Sequence, residues 1–384
     1  MSSSSSVTAE TTAESGHEGT SIQAEVISFL MIGLLFGGLI REINKKTSIP
    51  YTPMLFVSGI LLAYFSNKFG FLDSAIQDIY KVDPSHVLMI FLPTLIFTSG
   101  YNTDWHMFKR QFVQIFTLAI PCVIVNAFLI AFSIKVLLGY SSEYYTWTSA
   151  FMFGAILSCT DSGAVLAFLK QIGGPKKFSS LIQGESLIND GMCMVLLIVS
   201  SSIVRGEMSF NPIEITSSLF KLTFGGIIVG LLAGIVAVYA IRKMLTDDVM
   251  IVNITFVACY LIYFVSEQFT FIGISGIVAI ISLSLFMTAF GKARMSSEGL
   301  HAVNTVWKYA SFSAETIIFL ISGIILGTRV LIRKYSGDSL PIMPLDFVRL
   351  GGLYLCMMFS RYFSIRIFMP ILQKYGYGLS LDEV

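Results

Sequence analysis

Long apolar runs recur along the whole chain, separated by short polar segments. Most of them come close to the roughly 20 residues that an α-helix needs to cross a bilayer. The runs lie at 26–40, 50–65, 85–99, 112–138, 148–169, 180–203, 219–244, 250–266, 272–290, 306–327 and 345–372. This pattern predicts an all-α, polytopic membrane protein with about eleven transmembrane spans.

Composition supports a membrane protein and excludes several other classes. The chain is 54% hydrophobic and 13% charged, whereas soluble domains are about 25% charged. No stretch between the spans is long enough to hold the active site of a soluble enzyme, so the sequence predicts neither an enzyme nor a cofactor. A net charge of +1 gives no reason to expect nucleic acid as a partner.

The polar segments predict the domain limits and the orientation. Residues 1–25 carry four glutamates and no Lys or Arg, and we expect a disordered extracytoplasmic leader before one transmembrane domain at 26–384. Basic residues collect in alternate loops, which predicts a cytoplasmic C-terminus but does not indicate which membrane. Those on the predicted cytoplasmic side are Arg41, Lys45, Lys46, Lys109, Arg110, Lys170, Lys176, Lys177, Arg242, Lys243, Lys292, Arg294 and Lys374.

One predicted span carries polar residues at its middle. It reads FGAILSCTDSGAVLAFLKQIGG over 153–174, with Ser158, Thr160, Asp161 and Gly163 where the bilayer centre should be. Polar and flexible residues at that depth favour a helix broken at mid-membrane, whose freed backbone groups line a cavity. The alternative is a Ser/Thr-rich contact between two continuous helices.

The next span contains two carboxylates, in GESLINDGMCMVLL at 184–197. A charge at the centre of a spanning helix costs about 2.5–3.5 kcal/mol, so such residues usually have a function. Ser186 and Asp190 are four residues apart and share a helix face. A carboxylate beside hydroxyl and amide oxygens suits a small cation, and protonation would release that cation. The alternative for Asp190 is a buried salt bridge.

The cysteines and histidines do not indicate a metal site. All five cysteines fall inside predicted spans, and we interpret them as small core residues rather than disulfides or metal ligands. They are Cys122, Cys159, Cys193, Cys259 and Cys356. The four histidines show no spacing typical of a metal site.

The segment CTDSGAVLAFLKQIGGPKKFSSLIQGESLINDG resembles the sodium/proton exchanger family, the NHE/NhaP-like cation/proton antiporters. Its adjacent signatures are a Thr-Asp break and Gly-Glu-Ser-x-x-Asn-Asp. SIPYTPMLFVSGILLAY, FLPTLIFTSGY and FSAETIIFLISGIILG are similar to the family's second, third and tenth helices. The resemblance implies an inverted-repeat helical bundle that contains a broken helix.

The resemblance also implies residue roles. Asp190 would carry the ion or the proton with Asn189 beside it, Thr160 and Asp161 would lie at the break, and Ser186 would add an oxygen. Asp190 and Asp161 would be the carboxylate ligands of the cation. Glu185 and Glu315 are expected to be structural carboxylates within the membrane. Arg361 is the expected partner of Glu185, in preference to Arg366.

The implied activity is exchange of Na⁺, with K⁺ or Li⁺ as alternatives, for H⁺ by alternating access in a homodimer. Because a single Asp preceded by Asn carries one charge in each direction, we expect electroneutral exchange.

Some positions depart from the family pattern. Ser162 replaces the usual proline after Asp161, and the two final helices of the family do not follow YGYGLSLDEV. We therefore expect a companion polypeptide that supplies those helices. The alternative is a non-transporting structural subunit of a larger membrane complex; a channel is less favoured, because no continuous polar stripe is present.

Overall fold

A computed structural model of the chain describes residues 31–44, 50–66, 84–137, 146–244, 247–268, 273–332 and 344–375. The leader predicted at 1–25 lies outside the described residues, as do the loop residues Lys45 and Lys46. Within the described ranges the structure contains helices and no strand, which confirms the all-α prediction.

In the described residues, helices lie in each of the predicted apolar runs. The first, α1, covers 31–44. The others are α2 Tyr51–Ser66, α3 Pro84–Tyr101, α4 Trp105–Arg110, α5 Phe112–Ala119, α6 Pro121–Phe132, α7 Trp147–Leu157, α8 Gly163–Gln171, α9 Lys176–Val204, α10 Pro212–Lys243, α11 Asp248–Gln268, α12 Gly276–Phe286, α13 Ser297–Leu326 and α14 Pro344–Lys374. Short π-helical turns follow α6, α12 and α13, at Ser133–Leu137, Met287–Gly291 and Gly327–Ile332.

Seven helical segments in the described ranges are long and apolar enough to cross a membrane, and three shorter helices are also apolar. The chain is therefore an integral, multi-pass membrane protein. The count of eleven spans stays a prediction, because length and composition alone do not place a helix across the bilayer.

The chain divides into two compact units. The first comprises 1–92 and 309–340, and the second comprises 93–308 and 341–384. In the first unit, Tyr51 Oη lies 2.8 Å from Thr316 Oγ1. Glu315 also belongs to this unit, where its Oε1 accepts a hydrogen bond from Ser311 Oγ at 3.3 Å. Its predicted structural role stays a prediction.

The second unit is organised around α9. This helix contacts α5, α7, α10 and α12, and α14 packs on α6. Beside it, α10 and α12 approach closely through Gly226, Gly230 and Gly234, which are buried on one face of α10. Small residues allow helix backbones to approach in a membrane, where van der Waals packing replaces the hydrophobic effect as the main source of association energy.

We predict that Gly230→Ala destabilises the second unit by about 1–3 kcal/mol, the usual cost of overpacking. A Cβ at this position would overlap the carbonyl oxygen of Ala279 and lie 2.7 Å from Ser282 Cβ. The thermal unfolding midpoint in detergent measures the effect. Gly351→Ala is the matched control, because nothing lies within 4 Å of a Cβ at that position. Equal midpoints for the two variants would contradict the close packing of α10 on α12.

Candidate ion-binding site

The helix predicted to break at mid-membrane is broken. α7 ends at Leu157 and α8 begins at Gly163, so residues 158–162 lie outside both helices. The local sequence favours this, because short polar side chains compete for backbone hydrogen bonds. Asp161 Oδ1 accepts the backbone N–H of Gly163 at 2.9 Å, and Ser158 Oγ donates to the carbonyl oxygen of Gly154 at 2.8 Å.

Side chains of α9 satisfy backbone groups that the break leaves without helical partners. Asn189 Nδ2 donates to Thr160 Oγ1 at 3.1 Å and to the carbonyl oxygen of Ser158 at 3.4 Å. Ser186 Oγ donates to the carbonyl oxygen of Thr160 at 3.1 Å. Such partners are required, since an unsatisfied backbone group in hydrocarbon costs several kcal/mol. Asn189 and Ser186 therefore hold the break in place.

Asp190 is half-buried and points to the same break. Its Oδ1 accepts a hydrogen bond from Cys159 Sγ at 3.0 Å. In the part of the chain that the structure describes, no Lys or Arg forms a salt bridge with Asp190. The alternative that Asp190 belongs to a salt bridge therefore has no support among these residues. The donor that they provide to its carboxylate is the Cys159 thiol, which is weak and uncharged.

Asp161 occupies a different position from Asp190. It is exposed at the break, and one of its oxygens is already hydrogen-bonded to the backbone of Gly163. The described residues contain no group of three His, Cys, Asp or Glu side chains placed to hold a metal ion. A cation at Asp190 would need hydroxyl and carbonyl oxygens as further ligands, so the predicted pair of carboxylate ligands stays a prediction.

The interpretation of every cysteine as a core residue is wrong for Cys159. It is exposed in the break, and its thiol donates to Asp190. Cys193 is buried, as expected, but its Sγ donates to Asn189 Oδ1 at 3.0 Å. Both thiols thus contact the Asn-Asp pair. The sequence contained one indication of the contact between Cys193 and Asn189, because residues four positions apart lie on the same helix face.

Glu185 and Arg361 are brought together across the second unit. Arg361 Nη2 of α14 lies 2.7 Å from Glu185 Oε1 of α9. The side chains are 23% and 9% exposed, respectively, and Arg361 Nη1 is buried without a hydrogen-bond partner among the described residues. Arg366 is exposed and takes no part in the pair. The pair joins α9 to the last described helix.

Residues 26–382 match the family model described as sodium/hydrogen exchanger, transmembrane. The chain belongs to the sodium/hydrogen exchanger family. This is a family of transporters. Sodium/hydrogen exchanger 8 of Arabidopsis thaliana is 30% identical over 95% of this chain and 48% of its own length. The Na⁺/H⁺ antiporter NhaS2 of Synechocystis is 27% identical over 86% of this chain and 57% of its own.

The fold agrees with that of a solved family structure. The sodium proton antiporter MjNhaP1 from Methanocaldococcus jannaschii superposes with a TM-score of 0.72 at 20% identity, covering 94% of this chain and 81% of that one. This likeness confirms the antiporter-type helical bundle predicted from the sequence. The chain spans about half the length of the two curated relatives named above.

We predict that Glu185→Gln lowers the free energy of unfolding by about 3–5 kcal/mol, because it leaves the buried Arg361 charge without its partner. The double swap Glu185→Arg with Arg361→Glu should recover part of the loss. Thermal unfolding in detergent measures both variants, with Arg366→Gln as the control that removes an exposed charge. A midpoint for Glu185→Gln as high as that of the control would exclude a structural role for the pair.

The hydrogen bonds of Asn189 predict a second effect. Asn189→Ala should lower the free energy of unfolding by about 1–3 kcal/mol, the cost of leaving buried polar partners unsatisfied, and should increase amide hydrogen exchange at residues 158–163. Gln183→Ala is the control, since Gln183 lies on the same helix and its side chain bonds to Ser99 rather than to the break. Unchanged exchange at the break would show that Asn189 does not hold it.

Proposed function

We propose that this chain exchanges a monovalent cation for protons, with Asp190 as the group that binds either one. The observation that carries the proposal is a half-buried carboxylate at a broken helix, with no salt-bridge partner among the described residues. Membership of the sodium/hydrogen exchanger family and the relatives named as Na⁺/H⁺ antiporters support it. Sodium is the first candidate, with potassium and lithium as alternatives.

The contrast between Asp190 and Glu185 supports the choice of Asp190. Both carboxylates belong to α9, and both would be costly in hydrocarbon. Glu185 is compensated by Arg361 at 2.7 Å, whereas the side-chain partner that the described residues provide for Asp190 is the thiol of Cys159. A carboxylate compensated by a fixed cation has no need of a mobile one. Asp190 can be neutralised by a cation or by a proton, and competition between the two is the basis of exchange.

The surrounding groups fit a binding site for a small hard cation. Carboxylate, hydroxyl and carbonyl oxygens are the ligands that such cations prefer. Asn189 and Ser186 position the break, and Thr160 offers a hydroxyl and a carbonyl oxygen near α9. Asp161, exposed beside them, adds negative charge that attracts cations. In this assignment Asn189 and Ser186 act mainly as positioning residues.

The stoichiometry follows from assigning the exchange to Asp190 alone, and the transport cycle is the one that the family resemblance implies. Asp190 carries one positive charge in each direction, as Na⁺ or as H⁺, so the exchange is electroneutral. Alternating access exposes the site to one side of the membrane at a time. The homodimer, the companion polypeptide, the extracytoplasmic N-terminus and the cytoplasmic C-terminus stay predictions.

We expect Asp190→Asn to abolish cation-driven proton movement while the protein still inserts and folds. The substitution removes the titratable group, and no salt bridge with a described residue is lost. The measurement is the fluorescence of a pH-sensitive dye in vesicles containing the purified protein, with Na⁺, K⁺ or Li⁺ added outside.

Glu207→Gln is the control, because it removes an exposed carboxylate near the end of α9. Wild-type exchange in the Asp190→Asn variant would contradict the proposal. A folded wild-type chain with no more exchange than Asp190→Asn would instead favour the structural-subunit alternative.

A further inference from the structure

An apolar cleft runs along one face of α10 in the second unit. It has a volume of about 630 Å³ and is bounded by α4, α5, α9, α10 and α12. Thr223 and Ser282 contribute the only hydroxyl groups to its lining in the described residues. The volume lies within the range of about 300–1,000 Å³ that is typical of ligand sites. A cleft so poor in hydrogen-bonding groups suits a hydrocarbon chain.

A second pocket of about 270 Å³ continues the cleft toward the C-terminal ends of α10 and α12. The two share Phe286 and Phe290 as common lining. The second pocket differs in carrying two arginines, Arg242 and Arg294. Both are exposed, and neither forms a salt bridge within the described part of the chain. Guanidinium groups recognise phosphate by paired N–H donors, and two of them facing one pocket suit a phosphodiester.

The spacing along the helical segment Gly276–Arg294 agrees with the length of a phospholipid in one leaflet. The apolar lining on this segment extends from Val278 to Phe290, which is about 18 Å at 1.5 Å per residue. Arg294 follows about 6 Å farther on. The total of about 24 Å is close to half of the roughly 40–45 Å that a bilayer measures with its headgroups. An acyl chain that begins at a phosphate beside Arg294 can therefore run along the cleft.

We propose that this surface binds an anionic phospholipid, with its phosphate between Arg242 and Arg294 and an acyl chain in the cleft. Basic pockets between transmembrane helices on the cytoplasmic side are a known form of anionic lipid recognition, and both arginines belong to the ends predicted to be cytoplasmic. The inference does not depend on the proposed exchange activity.

The occupied cleft would contact the helix that carries the candidate ion site. Ile188, Gly191 and Met192 of α9 line the cleft, and Asn189 and Asp190 lie between them on other faces of the same turn. A bound acyl chain therefore packs against the turn of α9 that positions the break. Any movement of α9 during transport would change this contact, so the lipid is placed to influence exchange.

The test measures lipid binding directly. The full chain is purified in mild detergent, retained lipids are counted by native mass spectrometry, and thermal midpoints are followed as phosphatidylglycerol or phosphatidylcholine with identical chains is added. We expect phosphatidylglycerol to bind more tightly. Removing both arginines, in Arg242→Gln with Arg294→Gln, should weaken its binding by roughly fivefold per arginine. Each single substitution should weaken phosphatidylglycerol binding by roughly fivefold. The single variants keep the test available if the double variant does not fold.

Two further variants test the cleft. Ala289→Phe places a ring inside it and should abolish tight phosphatidylglycerol binding while both arginines remain. Ala293→Phe makes the same change at an exposed position that does not line the cleft, and it should bind lipid like the wild type. Arg366→Gln, which removes an exposed arginine of α14, should also leave the lipid preference intact.

Several outcomes would overturn the proposal. Unchanged preference for phosphatidylglycerol in the arginine variants would exclude the headgroup site. Equal binding of phosphatidylcholine would indicate an apolar groove without headgroup recognition. Glycerol phosphate as effective as the whole lipid would indicate a free-phosphate site. Wild-type lipid binding by Ala289→Phe would exclude the cleft. None of these results depends on cation exchange, so a failure here is distinct from a failure of the proposed function.

Discussion

The interruption of a membrane helix between Leu157 and Gly163 is the constraint on which the rest of the site depends. A broken helix frees backbone carbonyls that hydrocarbon cannot solvate, so another element must satisfy them. In this protein α9 does so, through Asn189 and Ser186. The polar face that α9 needs for this purpose also brings Asp190 to the break. The candidate ion site and the satisfaction of the backbone are thus two consequences of one contact.

The two carboxylates of α9 differ in burial and in compensation, and this difference is the basis for proposing a structural role for Glu185 and an ion-binding role for Asp190. Glu185 is nearly fully buried and is paired with Arg361, an arrangement that joins α9 to α14. Asp190 is less buried and lacks a basic partner among the described residues. A fixed ion pair would hold Asp190 permanently charged and occupied. Without such a pair among the described residues, Asp190 fits the proposed exchange of one small positive ion for another.

The faces of α9 are packed in different ways, and this difference bears on the proposed transport. One face meets the break through hydrogen bonds, and another meets α14 through the ion pair. A third, at Ile188, Gly191 and Met192, borders the apolar cleft, although Gly191 also packs closely on Ile281 of α12. Close helix packing transmits displacement rigidly, whereas the proposed acyl chain would accommodate it.

The sequence by itself determined the helical architecture, the broken helix and the need for a partner to Glu185. These depend on local patterns and on charge, since apolar runs of sufficient length form helices in a membrane and a buried charge requires an opposite one. The family resemblance implied that this partner lies in the eleventh span, where Arg361 was chosen because it is basic and lies at mid-span. Only the tertiary structure decided that Cys159 contacts Asp190, that Asn189 and Ser186 bond to the break, and that Arg242 and Arg294 share a pocket. Those contacts join residues about 25 to 50 positions apart, and no periodicity within a helix specifies which faces of two helices meet.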